Sequence, residues 1–159
     1  MHQKLNNLCR QAEEEYMTHL GITAFNINIK KLRQNVEIYE FLRDNEIKIF
    51  QPIADELEKA FPQEDPQVLE MAITHWLGIM RYCAMAVLGD NPDYLKYRIL
   101  EWLTEQIKAH QIDEIEDKIY QLLKQQLQQS LTPQQIKNLQ PFFNQIHKTL
   151  FKKEKLTKV

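Results

Sequence analysis

Apolar residues recur at three- and four-residue intervals along almost the whole chain, and the pattern lapses only where proline, glycine or asparagine interrupts it. That period places the apolar side chains on one stripe of a helix, so the chain must bury a series of helical faces against one another. Three glycines in 159 residues leave little material for the tight turns of a sheet protein. A composition of 43% hydrophobic and 26% charged residues argues against disorder. The pattern predicts an all-α fold of about seven helices in a single domain.

The stripes can be read off in order. Leu5, Leu8, Ala12, Tyr16 and Leu20 form the first, with Gly21 as its expected end and GITAFNIN as a short connector. Ile29, Leu32, Val36, Tyr39 and Leu42 form the second. Ile49, Phe50, Ile53, Leu57 and Phe61 continue past Pro52, which should start a new helix or bend an old one. PQEDP, residues 62–66, is a break. From about Gln67 to Leu88 runs the most apolar segment, with Leu69, Ala72, Trp76, Ile79, Cys83 and Val87 facing inward and Gly89 closing it. After the GDNPD turn come Leu95, Ile99, Leu103 and Ile107, then Ile112, Ile115, Ile119, Leu122 and Leu127. Thr132 followed by Pro133 reads as an N-cap and first helical residue. The last stripe is Ile136, Leu139, Phe143, Ile146 and Leu150, and Pro141 should kink it.

Charge and motif content exclude several function classes. A net charge of −2 lacks the basic excess of a phosphate-tracking protein, so no nucleic-acid partner is expected. Lys152, Lys153, Lys155 and Lys158 read as a solvated, frayed end. Cys9 and Cys83 are far apart without a CxxC pair, which points to neither zinc nor a disulfide framework. The amino terminus has no apolar signal core and no run reads as a membrane span, so the expected location is cytoplasmic. GxGxxG, GxxxxGK and GxSxG are all absent, and no enzyme activity is expected. The acidic groups Glu13 to Glu15 and Asp113 to Asp117 read as solvated helix faces. His75 stands apart from the other histidines. It lies beside the inward-facing Trp76 in an apolar helix, where an imidazole packs with its nitrogens satisfied or serves as a ligand.

Around that histidine the sequence carries a recognisable frame: Arg81-Tyr82, then CAMAV, then Leu88-Gly89-Asp90, then YRILEWLTEQI from Tyr97. Upstream, IADELEKAFP runs from Ile53 to Pro62. This frame resembles the phycobiliproteins, the light-harvesting subunits of cyanobacterial phycobilisomes. It is most specific between about residues 43 and 103. The resemblance implies a globin-like fold with an amino-terminal helical pair at about residues 3–28, a globin-like core at 29–150 and the basic tail at 151–159.

In that family a Cys-x-Arg-Asp motif on the helix carrying the Arg-Tyr pair holds an open-chain tetrapyrrole. Nine residues back from Arg81, the frame places Ala72, Thr74 and His75 at its three functional positions. Alanine has no sulfur, threonine no charge for a propionate, and histidine no fixed anion for two pyrrole N–H groups. Covalent bilin attachment there is not expected. Cys83 lies eleven residues further along, about 16 Å at a rise of roughly 1.5 Å per residue, and would need a different pocket.

The family also uses its helical pair to clasp a partner subunit, which makes Leu5, Leu8, Ala12, Tyr16, Leu20 and Phe25 the candidate partner-binding residues. The implied function is that of a non-pigmented phycobiliprotein-like protein. It would act by association, as an adaptor or regulator of phycobilisomes or photosynthetic complexes, peripheral to the thylakoid membrane. Its partner would be a related subunit, another photosynthetic protein or a second copy of itself. The alternative is a globin-like sensor whose old pocket takes a tetrapyrrole or apolar ligand non-covalently. Its wall would be Ala72, Thr74, His75, Trp76, Ile79 and Tyr82, with His75 as a haem ligand and no other metal site expected.

Overall fold

A computed structural model describes residues 3–151. In chain order its elements are α1 (Gln3–Glu14), α2 (His19–Asp44), α3 (Glu46–Ala60), α4 (Pro66–Gly89), α5 (Pro92–Leu95), a π-helical turn (Lys96–Leu100), α6 (Glu101–His110), α7 (Asp113–Ser130) and α8 (Pro133–Leu150). The π turn joins α5 to α6 without a break, so the described residues make seven helical rods and no strand. Lys152, Lys153, Lys155 and Lys158 of the expected basic tail lie outside the described residues.

The helix ends follow side-chain chemistry more closely than glycine. Thr18 caps α2, its Oγ1 accepting from the Gly21 amide at 3.1 Å. Gly21 therefore lies in the first turn of α2, and GITAFNIN is helical, which corrects the expectation of a helix end and a connector there. The break comes instead at residues 15–18. The hydroxyl satisfies one of the orphan amides that every helix start carries, and the remaining length of α2 absorbs the cost of a glycine. Asn45 alone separates α2 from α3, and its backbone N–H and its Nδ2 both donate to the Phe41 carbonyl. Pro52 and Pro141 each lie within a continuous helix, α3 and α8. Asp65 caps α4 ahead of Pro66, its Oδ1 accepting from the Gln67 amide at 2.9 Å. At the other end the left-handed residue is Asp90, with φ 49°, and Gly89 is still helical.

Helix α4 occupies the centre and packs against α2, α3, α5, α7 and α8. It buries Leu69, Ala72, Trp76, Ile79, Met80, Cys83, Ala84, Ala86 and Val87. Each large side chain fully removed from water contributes about 1.5–3 kcal/mol. By length and composition α4 would also suffice to cross a membrane, with a mean hydropathy of 1.3 over its most apolar stretch, in contrast to the expectation that no run reads as a span. Its buried stripe against five neighbours is how a core helix comes to satisfy the same criteria.

Two stripes are rotated from their expected settings. Helix α2 buries Asn35, Ile38 and Leu42, while Val36 is 39% exposed. Asn35 faces inward because its Nδ2 donates to the Val87 carbonyl in the last turn of α4, at 2.9 Å, satisfying a helix-end acceptor. Helix α7 buries Ile115, Glu116, Ile119, Tyr120, Leu123 and Leu127, leaving Leu122 half-buried. At the amino end, α1 buries no residue and packs on α2.

Candidate functional site

The face of α4 around residues 72–76 meets the first turn of α7, and the six candidate pocket residues take up different surroundings along it. Ala72, Trp76 and Ile79 are fully buried in the core. Thr74 is exposed, and its hydroxyl donates to the Glu70 carbonyl at 2.9 Å. Tyr82 is exposed further along the helix, its ring centroid 6.3 Å from that of Tyr94. His75 lies at the edge of the core, its side chain 10% exposed, with the Trp102 ring meeting it edge-on at 6.3 Å. Only His75 and Trp76 converge on a common partner.

That partner is Glu116 of α7, whose exposure is 0%. His75 Nδ1 lies 2.9 Å from Glu116 Oε1, and Trp76 Nε1 donates to Glu116 Oε2. Both carboxylate oxygens are thus engaged by consecutive residues of α4. An ionised carboxylate accepts this bond from the tautomer with hydrogen on Nδ1, which leaves Nε2 as the nitrogen open to a further contact. Burial pushes the Glu116 carboxyl above its ordinary range, partly offset by the bond and charge of His75 and by the Trp76 bond, while Asp113 pushes it up further. A half-satisfied carboxylate in this position would cost several kcal/mol; engaging both oxygens is what makes its burial tolerable.

Glu116 was expected on a solvated acidic face, and its burial corrects that reading. Asp113, Glu114 and Asp117 are exposed as expected. The signal was present in the spacing: Glu116 lies four residues after Ile112 and three before Ile119, on the apolar stripe itself.

The landmarks of the α4 frame serve as tethers. Arg81 forms a two-pronged pair with Glu46 in the first turn of α3, Nε to Oε2 at 2.8 Å and Nη2 to Oε1 at 2.7 Å. The guanidinium holds the Glu46 carboxyl below its usual range despite some desolvation. Asp90 binds Lys31 of α2 through both oxygens at 2.7 Å. Of the two cysteines, Cys9 is exposed on α1 and Cys83 is buried, its thiol pushed up to about 12 by desolvation. A thiol in that state supplies almost no thiolate nucleophile.

Among the described residues, two concavities open to solvent stand out. One, of about 420 Å³, lies among α2, α3 and α4, with Leu42, Ile49, Phe50 and Met80 among its apolar lining and Arg43 and Arg81 also bordering it. The other, of about 470 Å³, lies between α7 and α8. Neither is lined by Ala72, His75 or Trp76. Among the described residues no group of three or more His, Cys, Asp or Glu side chains is placed to hold a metal ion.

A family model described as phycobilisome protein matches residues 10–150 of the chain. The all-α arrangement of the described residues agrees with the globin-like fold of that family. No curated protein matches the chain.

Proposed function

Because the chain belongs to the phycobilisome protein family, we propose that it works there by protein association and without a covalent pigment, as an adaptor or regulator of phycobilisomes or other photosynthetic complexes. One observation carries this reading. Where the family's motif would hold a bilin, Ala72 offers no sulfur and is sealed in the core, and His75 is turned to a carboxylate of its own chain. A thioether needs a thiolate at that position, and the aspartate role needs an anion facing pyrrole N–H groups; Ala72 and His75 supply neither.

Association is supported at the amino end. Leu20 is 81% exposed and Ile27 64%, with Tyr16 and Ala12 also exposed and Leu5, Leu8 and Phe25 only half-buried. An apolar surface of this kind is stabilised by a partner that removes it from water, at about 25 cal/mol per Å². The fitting partner is another phycobilisome-family subunit or a second copy of this chain. Co-purification from the native host tests this, comparing wild type with a Leu20→Glu/Ile27→Glu double variant. Family subunits identified by mass spectrometry should accompany the wild type and be lost from the variant, with its melting curve unchanged. Equal capture by both proteins would contradict the reading.

A second reading draws on the Nδ1 contact of His75, since a carboxylate on one ring nitrogen is how proteins orient a metal-ligating imidazole. In that reading the protein is a globin-like sensor with Nε2 facing a tetrapyrrole metal. Saturable haem uptake that disappears in His75→Ala would favour it; no saturable uptake would end it.

A further inference from the structure

The concavity between α7 and α8 has a chemistry separate from that of α4. Lys124 of α7 and Lys148 of α8 both line it, and neither forms an ion pair among the described residues. No carboxylate lines it. The other polar groups there are the carboxamides of Gln121, Gln140 and Asn144 and the imidazole of His147, each able to donate N–H. The acidic residues of α7 are confined to positions 113–117, with Asp117 one helical turn before the lining residues Tyr120 and Gln121.

The donors are partly fixed in advance. Tyr120 is buried, and the rings of His147 and Phe151 pack on it at centroid distances of 5.7 and 5.5 Å. Lys124 Nζ sits 5.6 Å from the Tyr120 ring centroid. Burial and the nearby Asp117 charge both push the Tyr120 hydroxyl up, so it stays protonated as a further donor. Side chains held in this way lose less conformational freedom when a ligand arrives.

Two ammonium groups with several N–H donors, and with Asp117 near Tyr120 as the one acid close by, call for an acceptor carrying more than one charge and more than two oxygens. A phosphate monoester, with roughly −1.5 to −2 charge and three terminal oxygens, meets that demand, whereas a single carboxylate does not. The volume of about 470 Å³ also leaves room for an organic body beyond the phosphoryl group. We propose that the α7–α8 groove binds a phosphate-bearing small molecule, with Lys124 and Lys148 neutralising the phosphoryl oxygens and His147 and the carboxamides completing their hydrogen bonds.

The test is a pyrophosphate titration of the full chain, followed by nuclear magnetic resonance at His147 and the side-chain amides, with a Lys124→Gln/Lys148→Gln double variant beside it. The expected result is a saturable response in the wild type, weakened at least tenfold in the variant and reduced by added salt. Without pyrophosphate the variant should melt at the wild-type midpoint, because the groove is open to solvent. A parallel arm uses phosphatidylcholine vesicles containing phosphatidylglycerol. Binding to vesicles alone, lost in the variant, would overturn the small-molecule assignment in favour of a lipid headgroup. No saturable response in either arm, or one that survives in the variant, overturns the site altogether.

Discussion

Glu116 joins two helices through a carboxylate that no water reaches, so its removal leaves buried donors on the other side. Glu116→Ala strands the Trp76 indole N–H and unpairs His75, and it should cost about 3 kcal/mol in urea unfolding. Glu116→Gln should cost less, since its amide oxygen still accepts from Trp76. The pH dependence has a definite sign. Burial raises the folded-state carboxyl above its ordinary 4.5, so the folded chain binds this proton more tightly than the unfolded one. The contribution is therefore full below 4.5 and is lost as pH rises through the raised folded value. Relative to Glu116→Gln, the wild type should gain stability as pH is lowered toward 4.5, which urea midpoints across a pH series would record; an unchanged difference would contradict it. His75 and Trp76 were legible from their place in an apolar helix. Glu116 is hard to read from sequence because its acidic neighbours Asp113, Glu114 and Asp117 are solvated, while it alone of the four falls on the apolar stripe.

At the scale of the elements, the caps make the clearest forecasts. Helix α6 ends on Gln111, a residue with a side chain held at φ 55°. Gln111→Gly should remove that left-handed strain and stabilise the fold by about 0.5–1 kcal/mol, read as a raised melting midpoint. Helix α8 opens with a capping box, in which Thr132 Oγ1 accepts from the Gln135 amide and the Gln135 side chain accepts from the Thr132 amide. Thr132→Ala should destabilise by about 1 kcal/mol in the same assay. The Thr-Pro pair marked this start plainly in the sequence. Gly21 misled because glycine is a strong stop signal, yet Thr18 three residues earlier offers a cap for the same turn. At α4 the chain ends its helix on Asp90 rather than on Gly89, a choice that also keeps a carboxylate within reach of Lys31.

For the whole molecule, periodicity made the all-α fold readable, and the frame from Ile53 to Leu103 made its family readable. The sequence does not reveal how the face of α4 around His75 closes, because that depends on a residue 41 positions away on α7 reaching His75. It also left the outer stripes of α2 and α7 misaligned, since a single buried polar contact such as Asn35 to Val87 rotates a helix against its apolar count. Among the described residues the amino end leaves Tyr16, Leu20 and Ile27 exposed, while Ala72, Trp76 and Ile79 at the centre are buried. In the proposed function this phycobilisome-family chain associates with partners without a covalent bilin. The most direct test is to produce the protein in bilin-synthesising cells, purify it, and examine the denatured polypeptide for visible absorbance and zinc-enhanced fluorescence. The expected result is a colourless, non-fluorescent chain of unmodified mass; a bilin adduct on Cys9, Cys83 or any other residue would contradict the proposed function.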